Sequence, residues 1–290
     1  MNRILIIHNP VSGGKKNRFL NELRNIEGYQ GWIDIKTSQY PGHIHELAKA
    51  AIGHYQAVVA AGGDGTVNEI ASALKGSSTP MGIIPYGSGN GFANYLKVPK
   101  RLSVGLERIR RTSPKSVDTL QIKDHVFINI AGVGYDGHIA QLFNQGNIRG
   151  MVSYAWLTLR EFIRFKSFKF TLKIDEEEQS GEAFIILFAN SSQYGNNFYI
   201  APGANAEDGL IHVYVIRKPP LYKLPWLMKL VYDNKTLKTG YCTKYTGKAV
   251  SIETSRQPYH IDGETPSPMP DGNVEVSIHP KTLWVYGGKD

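Results

Sequence analysis

The sequence predicts two kinds of fold in one chain, an N-terminal parallel α/β nucleotide-binding domain and a C-terminal antiparallel β-sandwich domain. In the first third, four short apolar runs each lead into a loop and then into a segment with helical periodicity, which is typical of a parallel sheet covered by helices. From about Asp118 onward, many short runs alternate apolar and polar residues, and turn signals such as EDG and PDG separate several of them. That alternation indicates antiparallel strands in two packed sheets.

The four βα units begin with the apolar runs RILIIHN, IDIKT, QAVVAAGG and MGIIP. The clearest helix follows the third run, because Val67, Ile70, Ala71 and Leu74 recur at the spacing of one helix face. The strands predicted for the second part are HVFINIAG, SFKFTLKID, AFIILFAN, GLIHVYVI, AVSIET, NVEVSIHP and TLWVYGG. Two helical stretches, beginning at Met151 and Leu224, interrupt them. We therefore predict domains at 1–122 and 123–282.

The composition favours a reducing compartment and an acidic partner. The chain has 290 residues, a formal charge of +8 and a single cysteine, Cys242, so no disulfide can form within it. The N-terminus runs directly into a strand pattern, and we predict a cytoplasmic protein without a signal peptide. A basic balance favours anionic lipid or nucleotide, although simple solubility also explains it. No nucleic-acid recognition module is apparent, and we predict no nucleic-acid partner.

Three glycine-rich loops, NPVSGGK, GGDGT and YGSGN, each follow a predicted strand and precede a helix. Glycine lets main-chain N–H groups approach an anion, and a helix N-terminus adds partial positive charge. One such loop is more often an ordinary βα turn, but three at strand ends indicate a phosphate site. None matches the P-loop or the dinucleotide spacing. Asp64 would repel phosphate, so it suits Mg²⁺ or a hydroxyl awaiting deprotonation.

The stretches NPVSGGKK, GGDGTVNEI and PYGSGNGFAN resemble the nucleotide-binding motifs of the diacylglycerol kinase catalytic family, which includes bacterial lipid kinases, sphingosine kinases and ceramide kinases. SVDTLQI, GVGYDG, APGANAEDGLIHV and HIDGE match further along, in the family's order. The resemblance implies the NAD kinase/diacylglycerol kinase-like fold, ATP and Mg²⁺ as cofactors, and ATP bound in a cleft between the domains. It also implies that residues 283–290 return to the first domain.

The resemblance carries the family's functional residues onto matching positions. Those that match nucleotide contacts are Asn9, Ser12, Gly13, Thr37, Gly62, Gly63, Asp64, Gly65, Thr66, Gly87, Ser88, Gly89 and Asn90. The catalytic carboxylates it implies are Asp262, Glu264 and Asp64, and the base is either Asp262 or Asp64. It implies that Asp118 supports active-site Mg²⁺. A separate structural Mg²⁺ site would comprise Asp208 and the carbonyls of Asn205 and Leu210, although Asp208-Gly209 is also a strong turn dipeptide.

The acceptor side of the sequence indicates a lipid. Many diacylglycerol kinases of the family have an aspartate and an arginine where this chain has Gly91 and Asn94, and the form here is closer to that of sphingosine kinases. Residues 217–238 form a basic stretch interleaved with aromatic and aliphatic residues. Such a stretch can lie in an anionic membrane surface, or it can cap the sandwich with its lysines in water. We predict a peripheral membrane contact there.

Two other functions are compatible with the same motifs. A kinase of a soluble acceptor such as NAD shares the GGDG loop and the two-domain plan, but the basic apolar stretch argues against it. A catalytically silent nucleotide- or lipid-binding homologue would not need Asp64, Asp118, Asp262 and Glu264. The predicted function is therefore ATP-dependent phosphorylation of a hydroxyl of a lipid such as diacylglycerol or a sphingoid base. The sequence leaves a homodimer open.

Overall fold

The computed structural model describes residues 3–12, 18–26, 28–145, 151–266 and 272–287. The chain divides into two compact units. The first comprises Met1–Thr119, Tyr194–Asn196 and His279–Asp290, and the second comprises Leu120–Gln193 and Asn197–Ile278. Gly13 and the last three residues of the chain lie outside the described ranges, so the predictions for them are not addressed by the structure.

The first unit is built on a parallel sheet. Its elements are β1 (Ile4–His8), α1 (Arg18–Arg24), β2 (Ile33–Thr37), α2 (His43–Ala50), β3 (Ala57–Gly62), α3 (Asp64–Leu74), β4 (Met81–Pro85), α4 (Gly91–Tyr95) and α5 (Leu102–Arg111). The strand order is β2-β1-β3-β4, and all three pairings are parallel. Every residue of β1 and β3 is buried, as expected for strands covered on both faces. The predicted fold class is confirmed here.

Helices pack on both faces of this sheet. On one face, α1 and α5 share an apolar cluster with β1 and β3, formed by residues such as Phe19, Leu106 and Val59. On the other face, α2 and α3 lie beside each other and contact β1 and β3. Helix α5 is not among the predicted elements. Its sequence LSVGLERIRR is rich in charged residues, so the apolar face formed by Leu102, Leu106 and Ile109 is difficult to recognise from the sequence.

The second unit is an antiparallel β-sandwich. Its elements are β5 (Lys115–Ile122, which begins in the first unit), β6 (His125–Phe127), β7 (Ile130–Gly134), α6 (Tyr135–Gln145), α7 (Met151–Arg164), β8 (Phe168–Ile174), β9 (Glu177–Ala183), β10 (Ile185–Ala189), β11 (Ile211–Ile216), α8 (Leu224–Tyr232), β12 (Cys242–Gly247), β13 (Ala249–Thr254), β14 (Tyr259–Ile261) and β15 (Asn273–Val285). One sheet has the order β12-β11-β10-β7-β14. In the other, β13 pairs with β15 and β8, and β8 pairs with β9. Side chains from both sheets form one apolar core, so the predicted sandwich is confirmed.

Several local predictions for this part of the chain differ from the structure. Helix α6 and the strands β5, β9, β12 and β14 were not predicted, and β9 has no apolar side chain before Ala183. The runs NVEVSIHP and TLWVYGG, predicted as two strands, form the single strand β15. A positive φ of 54° at Lys281 marks the position where the sequence suggested a break. The end of β15 returns to the first unit, where Val285 pairs with Met81 of β4.

Candidate active site

The three glycine-rich loops of the first unit lie against one another. Ser12 Oγ accepts the N–H of Gly63 at 3.4 Å, and Asn9 Nδ2 donates to Thr66 Oγ1 at 3.0 Å. A Cβ placed on Gly87 would lie 2.5 Å from the Cα of Gly63, so a side chain there would force the second and third loops apart. The structure thus gathers the loops at the carboxyl ends of β1, β3 and β4, where open α/β sheets bind ligands.

Asp64 joins the second loop to the third. Its Oδ2 accepts the N–H of Asn90 at 2.8 Å, and its Oδ1 accepts the N–H of Gly91 at 2.7 Å. Burial raises the pKa of Asp64, and the backbone N–H donors oppose that shift. The N–H groups of Asp64 itself and of Phe92 also interact with the carboxylate, whose oxygens are the type of ligand that Mg²⁺ prefers. The donor chemistry of Asp64 therefore fits Mg²⁺.

Asparagine side chains hold the third loop in shape. Asn90 Oδ1 accepts the N–H of Gly87 at 2.9 Å, and Asn90 Nδ2 donates to the carbonyl of Gly87 at 2.6 Å. Asn90 adopts a left-handed conformation with φ of 52°. Asn94 Nδ2 donates to the carbonyl of Gly89 at 2.9 Å, so the residue that departs from the pattern of many diacylglycerol kinases has a structural contact here.

A segment far along the chain completes this loop. Asn196 Nδ2 donates to the carbonyl of Ser88 at 3.0 Å, and Gly195 forms a bridge with Asn90. This segment is not among the predicted site residues, and the Gly-Asn-Asn run in QYGNNF is the sequence signal that could have indicated it. Thr37, the predicted polar nucleotide contact, lies exposed at the end of β2, the strand that pairs with β1.

Asp118 is fully buried on β5. Its Oδ1 accepts the N–H of Lys281 at 2.8 Å, at the position of positive φ in β15. Nearby, Thr119 and Thr282 hydrogen-bond through their hydroxyls at 2.9 Å. These contacts give Asp118 a structural task in holding the returning strand, and its role toward Mg²⁺ stays a prediction.

The second unit carries the other two predicted carboxylates on the turn after β14. Asp262 Oδ1 accepts the N–H groups of Asn129 at 3.1 Å and Ile130 at 2.9 Å, and Oδ2 accepts that of Ile128 at 3.1 Å. These three bonds hold the Asp262 carboxylate against the backbone that leads into β7. Glu264 is exposed at the end of the same turn.

The predicted structural Mg²⁺ site around Asp208 has partners from the chain itself. Asp208 Oδ1 accepts the N–H of Leu210 at 3.1 Å, and Oδ2 lies 3.1 Å from His212 Nε2. Burial lowers the pKa of Lys244, and the attraction of its ammonium to Asp208 opposes that shift. The Asp208 carboxylate therefore has contacts within the chain, and its role toward a structural Mg²⁺ stays a prediction. Within the described ranges, no cluster of three or more His, Cys, Asp or Glu side chains is arranged to hold a metal ion.

Comparisons with known proteins agree with this architecture. The model of the diacylglycerol kinase catalytic domain matches residues 3–122, and that of the YegS C-terminal NAD kinase beta sandwich-like domain matches residues 129–287. A diacylglycerol kinase of Mycobacterium tuberculosis (strain ATCC 25618 / H37Rv) is 27% identical over 249 residues, which are 83% of this chain and 80% of that protein. A Yersinia enterocolitica protein named "Probable lipid kinase YegS-like" is 25% identical over 291 residues, 97% of this chain and 95% of that protein.

A solved structure shows the same fold. The crystal structure of a diacylglycerol kinase from Bacillus anthracis str. Sterne superposes with a TM-score of 0.73, covering 99% of this chain and 97% of that one at 16% sequence identity. The two family models together span both the unit with the gathered glycine loops and the β-sandwich. The chain therefore belongs to the diacylglycerol kinase family.

Proposed function

We propose that this kinase of the diacylglycerol kinase family transfers the γ-phosphoryl group of ATP to a hydroxyl of a lipid, such as diacylglycerol or a sphingoid base, at a membrane surface. The observation that carries the proposal is the gathering of three glycine loops around Asp64, with Gly87 packed against the backbone of Gly63. Main-chain N–H groups in such loops can bind the phosphates of ATP from several sides.

Phosphoryl transfer depends mainly on positioning and on offsetting negative charge. Bound Mg²⁺ would supply that charge, and Asp64 is the described residue that fits it. The proton of the acceptor hydroxyl needs a base, and Asp262 is the candidate because three N–H groups hold its carboxylate in one orientation. Asp64 is the alternative.

The lipid acceptor is supported by an exposed apolar face on α7. Trp156, Leu159 and Ile163 follow one another at helical spacing and are 61%, 47% and 61% exposed. Arg160 lies over the ring of Trp156 at 4.9 Å, so a guanidinium accompanies this face. Apolar side chains accompanied by basic ones are the arrangement that binds an anionic membrane surface.

The basic stretch 217–238 continues this face. Lys218 Nζ donates to the carbonyls of Ile163 and Phe165 at the end of α7, so the two segments are neighbours. Tyr222 is 79% exposed and Trp226 is 47% exposed. We name as the helix surface the exposed apolar residues Trp156, Leu159, Ile163, Leu221, Tyr222 and Trp226. Within the described residues, no helix combines the length and the apolar character needed to cross a bilayer.

The acceptor class can be tested with radiolabelled ATP and pure acceptors. We expect transfer to at least one of diacylglycerol, monoacylglycerol, a sphingoid base or ceramide, presented in anionic vesicles. Transfer to NAD alone, with every lipid unlabelled, would replace the proposal by the soluble-acceptor function. ATP binding without transfer to any acceptor would indicate a catalytically silent homologue.

The roles of the carboxylates can be separated by single-turnover transfer across a Mg²⁺ series. We expect Asp262→Asn to slow transfer by about 10²–10⁴-fold with little change in ATP affinity. Asp64→Asn should be partly rescued by added Mg²⁺. Near-normal transfer in Asp262→Asn, together with a collapse of Asp64→Asn that Mg²⁺ does not rescue, would make Asp64 the base. Glu264→Gln is the matched variant for Asp262→Asn, because it also replaces a carboxylate by an amide on the same turn.

Membrane contact can be tested by sedimentation with vesicles that contain anionic lipid. Each basic side chain near such a surface contributes roughly 1 kcal/mol, so binding should weaken as salt rises. Replacing Lys223, Lys229 and Lys235 with glutamate should release the protein. The matched control reverses the same number of exposed lysines elsewhere, at Lys123, Lys169 and Lys248. Equal release by both triple variants would show that net charge, and not the helix surface, governs binding.

A further inference from the structure

A carboxylate and an imidazole are paired beside the turn that carries Asp262. His260, on β14, is 3% exposed, and its Nε2 hydrogen-bonds with Asp136 Oδ2 in the first turn of α6. Burial alone lowers the pKa of His260, but the carboxylates of Asp136 and Asp262 raise it overall. On the other side of the ring, Nδ1 accepts the N–H of Gly263 at 3.1 Å.

Glycines of the GVGYDG stretch provide the space for this pair. A Cβ on Gly132 would lie 2.1 Å from Asp136 Oδ2 and 2.7 Å from His260 Nε2. A Cβ on Gly137 would lie 2.3 Å from the Cα of Tyr259, so α6 can approach β14 only with glycine there. The GVGYDG stretch has no part in the phosphate loops, and this packing accounts for Gly132, Asp136 and Gly137 within it.

The two hydrogen bonds of the ring define its tautomer. Because the N–H of Gly263 donates to Nδ1, that nitrogen is an acceptor, and the proton of the neutral ring is on Nε2, where it is donated to Asp136. A carboxylate that selects a histidine tautomer in this way also fixes the orientation of the ring, and so of the group bonded to its other nitrogen, here the N–H of Gly263. Asn144 Nδ2 of α6 also donates to the carbonyl of Gly263 at 3.2 Å, so α6 contacts this residue directly at its carbonyl and through His260 at its N–H.

We propose that Asp136 and His260 are positioning residues that hold Gly263, and through it set the directions of the Asp262 and Glu264 carboxylates on either side. The proposal rests on the proposed function, which assigns those carboxylates to catalysis. Neither Asp136 nor His260 needs to touch the acceptor, because their effect passes through the backbone of the turn. A small displacement of a positioned group can slow a reaction by about 100-fold.

The first test needs no substrate and uses the wild-type protein. Nitrogen chemical shifts of the His260 ring at alkaline pH should show the proton on Nε2, and the amide of Gly263 should exchange slowly with solvent. A ring with its proton on Nδ1 would overturn the proposal, because it could not accept from Gly263. Fast exchange at Gly263 would overturn it as well.

The second test compares two substitutions of the same histidine. His260→Asn places a side-chain oxygen near the position of Nδ1 and can keep the bond from Gly263, whereas His260→Gln reaches the position of Nε2 and keeps only Asp136. We expect His260→Gln to lower kcat by about 10–100-fold with the KM for ATP unchanged, and His260→Asn to retain more activity. The Gly263 amide should exchange faster in His260→Gln than in His260→Asn.

Tyr214→Phe is the control for a general loss of stability in the same unit, because it removes a buried hydrogen bond to the Pro202 carbonyl. Per folded molecule, its kcat should equal that of the wild type. If the two His260 variants also match the wild type, the pair is only structural and the proposal is wrong. If the wild type phosphorylates no acceptor, the proposed function fails, and the order of Gly263 exchange in the two variants still decides whether His260 holds the turn.

Discussion

Gly87 shows how one position decides the shape of the phosphate loops. The atom nearest to a Cβ at this residue is the Cα of Gly63, only 2.5 Å away. A backbone atom cannot rotate aside as the end of a flexible side chain can. The two loops therefore depend on glycine at this position for their close approach.

We predict that Gly87→Ala weakens ATP binding by about 10-fold or more and destabilises the protein by about 1–3 kcal/mol, because the loops must separate. Gly105→Ala in α5 is the control, since its Cβ would meet only the Pro99 carbonyl at 3.9 Å. Alanine there should stabilise the helix by roughly 0.5–1 kcal/mol. Titration calorimetry with ATP and urea unfolding measure the two effects. Unchanged ATP affinity in folded Gly87→Ala would contradict the prediction.

His8 is a buried residue at the entrance to the first loop. It is 7% exposed, its ring stacks on Phe19 with centroids 4.9 Å apart, and Nδ1 has no hydrogen-bond partner among the described residues. Burial lowers the pKa of His8 below the ordinary 6.5. The folded protein binds a proton at His8 less readily than the unfolded chain does. The stability that neutral His8 contributes is therefore fully present above pH 6.5. It is lost as the pH falls through the folded-state pKa.

We predict that His8→Phe makes the protein less sensitive to acid. Phenylalanine can keep the stack on Phe19, and it has no proton to gain. The urea midpoint of the wild type should fall more than that of the variant between about pH 7.5 and about pH 5.5. Parallel curves for the two proteins would mean that His8 does not titrate in this range.

The end of α7 is an element held by a charge from another segment. Lys218 Nζ donates to the carbonyls of Ile163 at 3.2 Å and Phe165 at 2.6 Å, and it lies 5.3 Å from the ring centroids of both Phe162 and Phe184. A cation at a helix C-terminus satisfies carbonyls that have no partner within the helix. The exposed apolar face of α7 is therefore held in place from its last turn.

We predict that Lys218→Met destabilises the second unit by about 1.5 kcal/mol, because two carbonyls lose a charged donor. Lys173→Met is the matched control, since Lys173 forms an exposed pair with Glu253 at 3.0 Å. Exposed pairs contribute little, so its stability should change by less than about 0.5 kcal/mol. Urea unfolding followed by near-ultraviolet circular dichroism distinguishes the two. Equal effects would show that the contact with α7 adds nothing.

At the scale of the whole molecule, the end of the chain is part of the first unit. Val285 pairs with Met81, and the N–H of Tyr286 donates to the Met81 carbonyl at 2.9 Å. The Tyr286 ring is 5% exposed and belongs to the apolar cluster shared by α1 and α5. The first unit therefore depends on residues at opposite ends of the sequence.

We predict that Tyr286→Ala destabilises the first unit by about 3 kcal/mol, because it empties a large buried position. Trp284→Ala, at a side chain that is 40% exposed, should cost much less. Hydrogen exchange followed along β3 and β4 should speed up in the first variant only. Unchanged protection of these strands in Tyr286→Ala would mean that the returning segment is not needed for their stability.

The fold class was predictable because its causes are local. Strands buried on both faces are nearly continuous apolar runs, as in ILIIH and AVVAAG, and glycine loops are visible as letters. The polar strand β9 was missed because β8 is its one partner among the described strands, and its conformation comes from backbone bonds to that neighbour. Helix α6 was missed because Gly137 and a polar face weaken its periodicity.

The parallel α/β unit, the β-sandwich and the glycine loops that indicate a phosphate site could all be predicted from the sequence. The tertiary structure decided what the carboxylates contact, because their partners are distant along the chain: 27 residues separate Asp64 from Gly91, and 134 separate Asp262 from Ile128. Hydrogen bonds over such separations leave no periodic or compositional signal in the sequence. For the same reason only the fold shows that Asp136 reaches His260, 124 residues away, and that His260 in turn holds the turn between the two proposed catalytic carboxylates.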